Sequence, residues 1–229
     1  MNYVSYCLYG DNPKYTVGAV QNALTVPKVY PGFHAVFFID TATVKRSVVE
    51  TLKEAGALCL AGTRHIKNKM VWRIMATELA HPEVVLFRDA DSRITKREVA
   101  AVNEWRASEY KVHVMRDFPK HTMPLMGGTW GIKKNQYRTL SLSAIWRHYK
   151  ATENDWDHAS DQIFYARRLW PIFEKDTLQH DEFNGWPNCK PFPVPFDPAE
   201  GFVGEVILET GEGIPEHKAF RGVAPYAPK

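Results

Sequence analysis

The segment VVLFRDADSR, residues 84–93, constrains this chain more than any other part of its sequence. Its first four residues are apolar and are bounded by polar residues on both sides, which is typical of a short strand buried on both faces. Such a strand delivers Asp89 and Asp91 to its carboxyl end. Ligands of open α/β sheets bind beyond the carboxyl ends of the strands, so these two carboxylates lie where a site is expected.

The chemistry of this acidic pair suggests a cation. Two carboxylates this close repel each other, and their pKa values rise unless a cation is shared or positive side chains flank them. A hard divalent ion accepts carboxylate oxygens together with oxygens of a substrate phosphate. The pattern therefore favours Asp89 and Asp91 holding Mg²⁺ or Mn²⁺ and, through it, a diphosphate. The alternative is a strand-end turn in which Arg88 and Arg93 simply pair with the acids.

The residues after the acidic pair predict the start of a helix. Thr95 and Glu98 have the S/T-x-x-E spacing of a capping box, and the helix is expected to run to about Ser108. Strand, acidic turn and capped helix then form one α/β unit with its polar residues at the end where ligands bind.

Strands and helices alternate before this unit. β-forming residues at 3–9 are followed by Gly10, an apolar strand over 33–39 is followed by Asp40, and a brief strand is predicted over 57–61, with helical spacing between them. This alternation predicts the α/β class, with a mostly parallel central sheet and right-handed crossovers. A chain of 229 residues fits one domain with a sizeable core.

Three side chains near this half are further candidates. Asp40 could accept a hydrogen bond from a base or ribose, or could cap the helix that follows. Lys69 and Arg73 belong to a segment whose back half has the spacing of an amphipathic helix and leads into the acidic strand. Either side chain could reach phosphates or clamp the carboxylates. Arg73 is the better candidate, because a guanidinium can pair bidentately with these groups. The alternative is that the basic residues simply form a solvated face.

The second half offers weaker signals. Gly127 and Gly128 interrupt a strand pattern, which indicates either close approach of a ligand or a β-bulge. A helix is predicted over 136–150, and Asp161 lies in the first turn of the next one, as a general base or merely as a cap. His180 lies in a proline-rich segment, where a loop histidine is more often a surface or packing residue than a ligand.

Composition excludes several classes of protein. The net charge of +3 falls short of the dense basic face of a nucleic-acid binder, so no nucleic-acid partner is expected. The apolar runs are too short to span a bilayer, and the first residues do not resemble a signal peptide, so we expect a cytoplasmic protein. The three cysteines are widely spaced, which favours reduced thiols over disulfides or a zinc site.

An ordered set of motifs resembles a known family. The motifs are Met70-Val71-Trp72-Arg73, Phe87-Arg88-Asp89-Ala90-Asp91-Ser92-Arg93, Met115-Arg116-Asp117, Gly127-Gly128-Thr129-Trp130-Gly131, Asp161-Gln162 and His180-Asp181. In this order they resemble the GT-A-fold, nucleotide-sugar-dependent glycosyltransferases, especially small bacterial and large-DNA-virus members with an R-D-x-D-S-R core. The resemblance covers about residues 1–205.

The resemblance implies an organisation and an activity. It implies a single GT-A-like, Rossmann-like domain over 1–210, with a nucleotide-binding half (1–95), an acceptor and sugar half (96–210) and a C-terminal arm (211–229). The activity would be metal-dependent transfer of a sugar from a nucleoside-diphosphate sugar, most often a UDP-sugar, to a glycan or another hydroxyl acceptor. The alternatives are a D-x-D phosphohydrolase and a catalytically silent carbohydrate-binding protein of the same fold.

The resemblance also implies roles for individual residues. Asp89, Asp91 and His180 would hold Mn²⁺ or Mg²⁺, and Asp161 and Gln162 would lie beneath the reacting carbon. The donor would contact Tyr9, Gly10, Asp40, Lys69, Arg73, Gly127 and Gly128. The sequence lacks the E-D dyad of many inverting members, so inversion and retention both stay open.

Overall fold

One sheet of eight strands organises the part of the chain that the structure, a computed structural model, describes, which is residues 1–152 and 160–221. The strands are β1 (Asn2–Leu8), β2 (Phe33–Ile39), β3 (Leu58–Ala61), β4 (Val84–Arg88), β5 (Val112–Arg116), β6 (Thr129–Lys133), β7 (Thr177–Asp181) and β8 (Cys189–Lys190). Their order is β3-β2-β1-β4-β6-β5-β7-β8. The α/β class is confirmed.

The sheet is parallel except around β6. Strand β1 pairs in parallel with β2 and β4, and β5 pairs in parallel with β7, whereas β6 runs antiparallel between β4 and β5. No helix separates β5 from β6, so the chain returns directly and antiparallel, without the crossover that a parallel strand needs. The predicted mostly parallel sheet is confirmed.

Helices cover both faces of the sheet. They are α1 (Pro13–Val29), α2 (Arg46–Glu54), α3 (Lys96–Ala107), α4 (Leu142–Thr152), α5 (Ser160–Phe164), α6 (Trp170–Phe173) and α7 (Pro215–Arg221). Thr95 caps α3 as predicted, because its hydroxyl accepts a hydrogen bond from the Glu98 amide at 3.1 Å. None of the described helices is long and apolar enough to cross a membrane.

Two predicted helices differ from the observed ones. The segment Lys69–Glu78 is a 3₁₀ helix with buried residues on several sides, so its packing against β1 outweighs the α-helical spacing. The helix predicted over 136–150 is split into a 3₁₀ turn, Lys134–Tyr137, and α4.

The proline-rich segment contains a strand that the sequence did not indicate. β7 is buried at every position and pairs with β5 in a register that sets His180 beside Met115. The interpretation of His180 as a loop residue is therefore wrong. Its neighbours in sequence gave little strand signal, and the pairing with β5 comes from a distant part of the chain.

Candidate active site

A cleft of about 220 Å³ opens at the carboxyl ends of β1 and β4. It is lined by Cys7, Tyr9, Tyr15, Met70, Arg73, Asp89, Ala90, Asp91 and Val206. Four of the residues singled out in the sequence, Tyr9, Arg73, Asp89 and Asp91, therefore share one cavity. The parallel pairing of β1 with β4 brings them together, because parallel strands end at the same edge of the sheet.

Arg73 joins two carboxylates. Its Nη1 lies 2.5 Å from Oδ1 of Asp89, and its Nη2 lies 3.9 Å from Oδ2 of Asp161. The side chain is only 2% exposed, and its Nε donates to the carbonyl oxygen of Met70 at 2.8 Å. The guanidinium is thus held in place on three sides, which is consistent with the clamping role predicted for it.

Asp91 has a different cation as partner. Its Oδ2 lies 2.9 Å from the ammonium of Lys14. Burial, and then the charge of Asp89, raise the pKa of Asp91, while Lys14 opposes the rise. The two aspartates thus repel each other as the sequence suggested, and a cationic side chain offsets part of that repulsion.

Asp161 is buried, with the Arg73 guanidinium at 3.9 Å as its charged neighbour among the described residues. It lies in the first turn of α5 and has no exposed surface. Neither carboxylate oxygen has a well-formed hydrogen bond within the described residues, although the Gln162 amide is near enough to lower its pKa slightly. Burial has the largest effect and raises the pKa of Asp161 despite the nearby Arg73. A carboxylate in such surroundings is suited to accept a proton. Gln162 itself is half-buried.

Gly127 and Gly128 lie against these acids. A Cβ at Gly128 would meet Oδ2 of Asp89 at 2.0 Å, and one at Gly127 would meet Oδ2 of Asp161 at 3.2 Å. Both residues precede β6, so they do not form a bulge within the strand. The groups that come close to these glycines are the carboxylates of the site, and the approach of a ligand stays a prediction.

Asp40 and Lys69 form an ion pair beside Tyr9. The Lys69 ammonium lies 2.5 Å from Oδ2 of Asp40 and 5.6 Å from the centre of the Tyr9 ring. The hydrogen bond from Lys69 is the main cause of a lowered pKa at Asp40. Gly10 lies at the same end of β1, where its amide donates to the hydroxyl of Thr43 at 2.9 Å.

Asp40 does not cap a helix. Helix α2 begins at Arg46 with Lys45 at the capping position, whereas Asp40 Oδ1 accepts from the amide of Ala42 at 3.2 Å. The capping interpretation of Asp40 is wrong, because the chain makes a turn after β2 before the helix starts.

Comparison with known proteins bears on the fold. No protein-family profile matches this sequence, and no curated protein matches it either. Among solved structures, the glycosyltransferase GlyE of Streptococcus pneumoniae is 10% identical, with a TM-score of 0.54 over 79% of this chain and 45% of that one. An active-site mutant of LgtC is 12% identical, with a TM-score of 0.51 over 86% of this chain and 89% of that one. A second structure, of the galactosyltransferase LgtC in complex with donor and acceptor sugar analogs, is 13% identical, with a TM-score of 0.50 over 79% of this chain and 73% of that one.

The chain has a GT-A fold. The same fold is shared by 4-diphosphocytidyl-2C-methyl-D-erythritol synthase of Anaerococcus prevotii, which is 14% identical with a TM-score of 0.51 over 83% of this chain and 91% of that one. Because that enzyme is not named as a glycosyltransferase, the GT-A fold alone does not choose the reaction.

In this GT-A fold, His180 does not join the acidic pair. Its Nδ1 lies 2.8 Å from Nε2 of His113, and its Nε2 lies 3.3 Å from Oε2 of Glu104 on α3. Side chains alternate between the two faces of a strand, and at this position of β7 the side chain points toward α3. The expected metal-ligand role of His180 is corrected accordingly.

Sequence reasoning missed His217. This residue belongs to α7, and its Nδ1 accepts a hydrogen bond from the Val206 amide at 3.1 Å. The next amide, of Ile207, donates to the carbonyl oxygen of Asp91 at 2.7 Å. Burial lowers the pKa of His217, while neighbouring carboxylates, Asp91 among them, raise it. No local motif marks this histidine, because it comes near the site only where the C-terminal segment contacts Asp91 through Ile207.

The donor set at the acidic pair fits a hard divalent ion. The available atoms are carboxylate oxygens of Asp89 and Asp91; the charge of Asp89 helps to raise the pKa of Asp91, and a shared cation would stabilise the two carboxylates together. Within residues 1–152 and 160–221, no three His, Cys, Asp or Glu side chains are gathered closely enough to form a complete metal site. A metal ion there would therefore need oxygens from a ligand or water as well.

Proposed function

We propose that this chain is a Mn²⁺- or Mg²⁺-dependent glycosyltransferase that moves a sugar from a nucleoside-diphosphate sugar, a UDP-sugar, to a hydroxyl group of a glycan or a similar acceptor. The observation that supports this most is the convergence of Asp89, Asp91, Arg73 and Asp161 at one end of the sheet. The GT-A fold, shared with glycosyltransferases, is consistent with it.

The acidic pair supports the departure of the diphosphate. Asp89 and Asp91 would hold the ion, which when bound would supply Lewis-acid stabilisation of the negative charge that develops on the leaving group. Arg73 is fixed by the Met70 carbonyl and holds Asp89 in one orientation. It also keeps Asp89 and Asp161 at a set separation, since it contacts both.

Asp161 would act at the reacting carbon as a base or as a stabilising negative charge. In an inverting reaction its carboxylate would take the proton from the acceptor hydroxyl, and its raised pKa suits that task. In a retaining reaction the same carboxylate would stabilise an oxocarbenium-like centre. Gln162 follows it at the start of α5 and would contact the sugar beside it.

The nucleoside would lie at the ends of β1 and β2. Asp40 offers a carboxylate that can accept from the N–H of a uracil or from a ribose hydroxyl, and Tyr9 offers an aromatic face. The hydrogen bond from Lys69 lowers the pKa of Asp40, so that carboxylate stays ionised and able to accept hydrogen bonds. Gly10, with φ of +75°, allows the chain to turn at this point.

Calorimetry with UDP tests the proposal. We expect wild-type protein to bind UDP with Mn²⁺ and far more weakly with EDTA, and Asp91→Ala to lose the metal-dependent part. Glu50→Ala, which removes an exposed acid on α2, is the matched control and should bind as wild type does. Unchanged metal-dependent binding in Asp91→Ala would overturn the proposal.

Turnover assays separate the other reaction classes. Release of UDP from UDP-sugars, with or without an acceptor, is expected of a transferase. Release of phosphate from simple esters, with no turnover of nucleotide sugars, would indicate a phosphohydrolase instead. Saccharide binding that persists in EDTA without donor turnover would indicate a silent carbohydrate-binding protein.

A further inference from the structure

Lys14 is the second cation of the site, and the proposed function above gives it no role. It is the second residue of α1, whose first turn is capped by Asn12. Its ammonium lies 2.9 Å from Oδ2 of Asp91 and 4.3 Å from the centre of the Tyr15 ring. Asp91 and Tyr15 both line the cleft, so the ammonium lies at its rim.

Helix α1 is locked to the acidic turn, which keeps Lys14 within reach. The Asn22 amide donates to the carbonyl oxygens of Ala90 at 3.3 Å and Ser92 at 3.0 Å. At Gly18 the helix comes so close that a Cβ would lie 2.1 Å from the Ala90 carbonyl oxygen. The Lys14–Asp91 pair is therefore a feature of a fixed interface, and only the lysine side chain is free to move.

A divalent ion on Asp91 would compete with this ion pair for the carboxylate. In the structure each aspartate already has a cationic partner, Arg73 for Asp89 and Lys14 for Asp91. An ion bound to both carboxylates would place two positive charges beside each of these side chains. Arg73 is 2% exposed and is held by Met70, so it cannot withdraw. The Lys14 side chain is 21% exposed on a flexible stem, so it is the cation that can leave.

A diphosphate would give the displaced ammonium a new partner. A donor phosphate bound to an ion on Asp89 and Asp91 would lie in the cleft whose rim Lys14 occupies. Phosphate oxygens are good acceptors for an ammonium, and the charges of a donor diphosphate together with those of Asp89 and Asp91 offset the charges of the ion and the lysine. The nucleotide would thus strengthen metal binding beyond what the protein alone provides.

We propose that Lys14 exchanges partners during donor binding: it holds Asp91 in the free protein, is displaced by the divalent ion, and then contacts the diphosphate of the donor. This rests on the proposed function and adds a positioning residue to it. Lys14 would therefore weaken the binding of the metal ion and strengthen the binding of the nucleotide. A lysine with a purely structural role would not change the two affinities in opposite directions.

Two calorimetric titrations of Lys14→Met test the exchange. We expect Mn²⁺ alone to bind about fivefold more tightly to the variant than to wild type, since about 1 kcal/mol of ion pairing no longer opposes it. At saturating Mn²⁺ we expect UDP to bind about fivefold more weakly, by the same reasoning. Lys28→Met, at the far end of the same helix and exposed, should change neither affinity.

The outcomes are distinguishable. Lys14→Arg keeps the charge and should restore both affinities toward wild type, and thermal unfolding checks that each variant is folded. Equal Mn²⁺ and UDP affinities in Lys14→Met and wild type, or a change of both in one direction, would overturn the exchange and leave the glycosyltransferase proposal standing. Absence of Mn²⁺-dependent UDP binding in wild type would overturn both.

Discussion

Asp161 shows how the surroundings of a single buried side chain change its affinity for a proton. It is removed from water, it has no well-formed hydrogen bond within the described residues, and its nearest cation is shared with Asp89. Burial outweighs the attraction of Arg73, so the proton is held more tightly than in an ordinary aspartate. Loss of its charge should therefore affect chemistry more than folding.

We expect Asp161→Asn to bind UDP normally and to lower the rate of sugar transfer about 10²- to 10⁴-fold, the usual contribution of a general base. The unfolding midpoint should stay near wild type, because the substitution removes a buried charge and keeps the shape. The measurement is UDP release under saturating donor, with and without acceptor. Wild-type rates of both transfer and donor hydrolysis would exclude a catalytic role for Asp161.

The two glycines allow a graded comparison. Gly128→Ala places a methyl group 2.0 Å from Oδ2 of Asp89 and 2.9 Å from its backbone nitrogen, so the acid must move. We expect metal-dependent UDP binding to fall at least about tenfold, since 1.4 kcal/mol is enough for that loss. Gly127→Ala meets Asp161 at 3.2 Å and should lower turnover more than UDP affinity. Both effects can be measured by calorimetry and by UDP release; a Gly128→Ala protein that binds UDP as wild type does would show that Asp89 tolerates displacement.

At the scale of elements, α1 holds the acidic turn in position. Its buried Asn22 bonds two carbonyl oxygens of that turn, and Gly18 lets the helix approach it. The same turn is also held at Asp91, whose carbonyl oxygen accepts from the Ile207 amide, and at Asp89 by Arg73. The geometry of Asp89 and Asp91 is therefore set in part by a helix that lies far before them in sequence.

Replacing Asn22 with Leu should weaken the contact between α1 and the acidic turn. The variant removes the two hydrogen bonds from Asn22 to the carbonyl oxygens of Ala90 and Ser92, which keep the Arg93 guanidinium as a donor, so we expect it to lose about 1–3 kcal/mol of unfolding free energy. Metal-dependent UDP binding should weaken as well, because the turn is less firmly held. Urea unfolding and calorimetry measure the two losses, and Gln21→Leu, on the exposed side of the same helix, is the control. Weakened stability with unchanged UDP binding would show that the turn keeps its shape unaided.

The 3₁₀ segment that carries Arg73 shows why element type is hard to predict. Its residues have the spacing of an amphipathic helix, but Trp72, Arg73 and Ile74 are buried in succession. The segment is enclosed between the sheet and α4, so contact on several sides decides its winding. The tighter helix brings the Arg73 side chain back onto the carbonyl of Met70, three residues earlier.

At the scale of the whole molecule, a buried histidine pair links two neighbouring strands of the sheet to α3. His113 on β5 and His180 on β7 contact each other, and His180 also contacts Glu104. Burial lowers the pKa of both rings, that of His180 to about 4. These histidines are thus neutral in the folded protein over a pH range where they would be protonated in the unfolded chain.

Stability should therefore fall on acidification. Between the ordinary histidine pKa of about 6.5 and the folded value of about 4, the unfolded state binds more protons, so the free energy of unfolding decreases as pH falls. His180 alone can account for up to about 3 kcal/mol over that range. Urea unfolding at pH 7 and pH 5 measures the change. We expect His180→Gln to flatten the pH dependence and the exposed His34→Gln to leave it unchanged; an equal slope in all three proteins would contradict the assignment.

Local patterns predicted much of this protein. The apolar strand before Asp89, the cap at Thr95, the glycines before β6 and the alternation of the first strands all depend on residues that are neighbours in the chain, and the structure has each of them. These features can be predicted from the sequence because helix caps, strand periods and glycine turns depend on only a few neighbouring residues.

The path of the chain through space decided the rest. His180 is misplaced by the sequence because β7 depends on pairing with distant strands. Lys14 and His217 have no local signal because Lys14 contacts Asp91 from a helix near the start of the chain, and His217 contacts Val206 in a segment near its end. Which acid Arg73 contacts, and how deeply Asp161 is buried, likewise depend on elements packed together from separate parts of the sequence. The amino-acid pattern alone indicates which acidic residues end the central strand. Which cations and which buried surfaces surround them follows from the packing of distant segments, since electrostatic contacts and burial depend on distances in space.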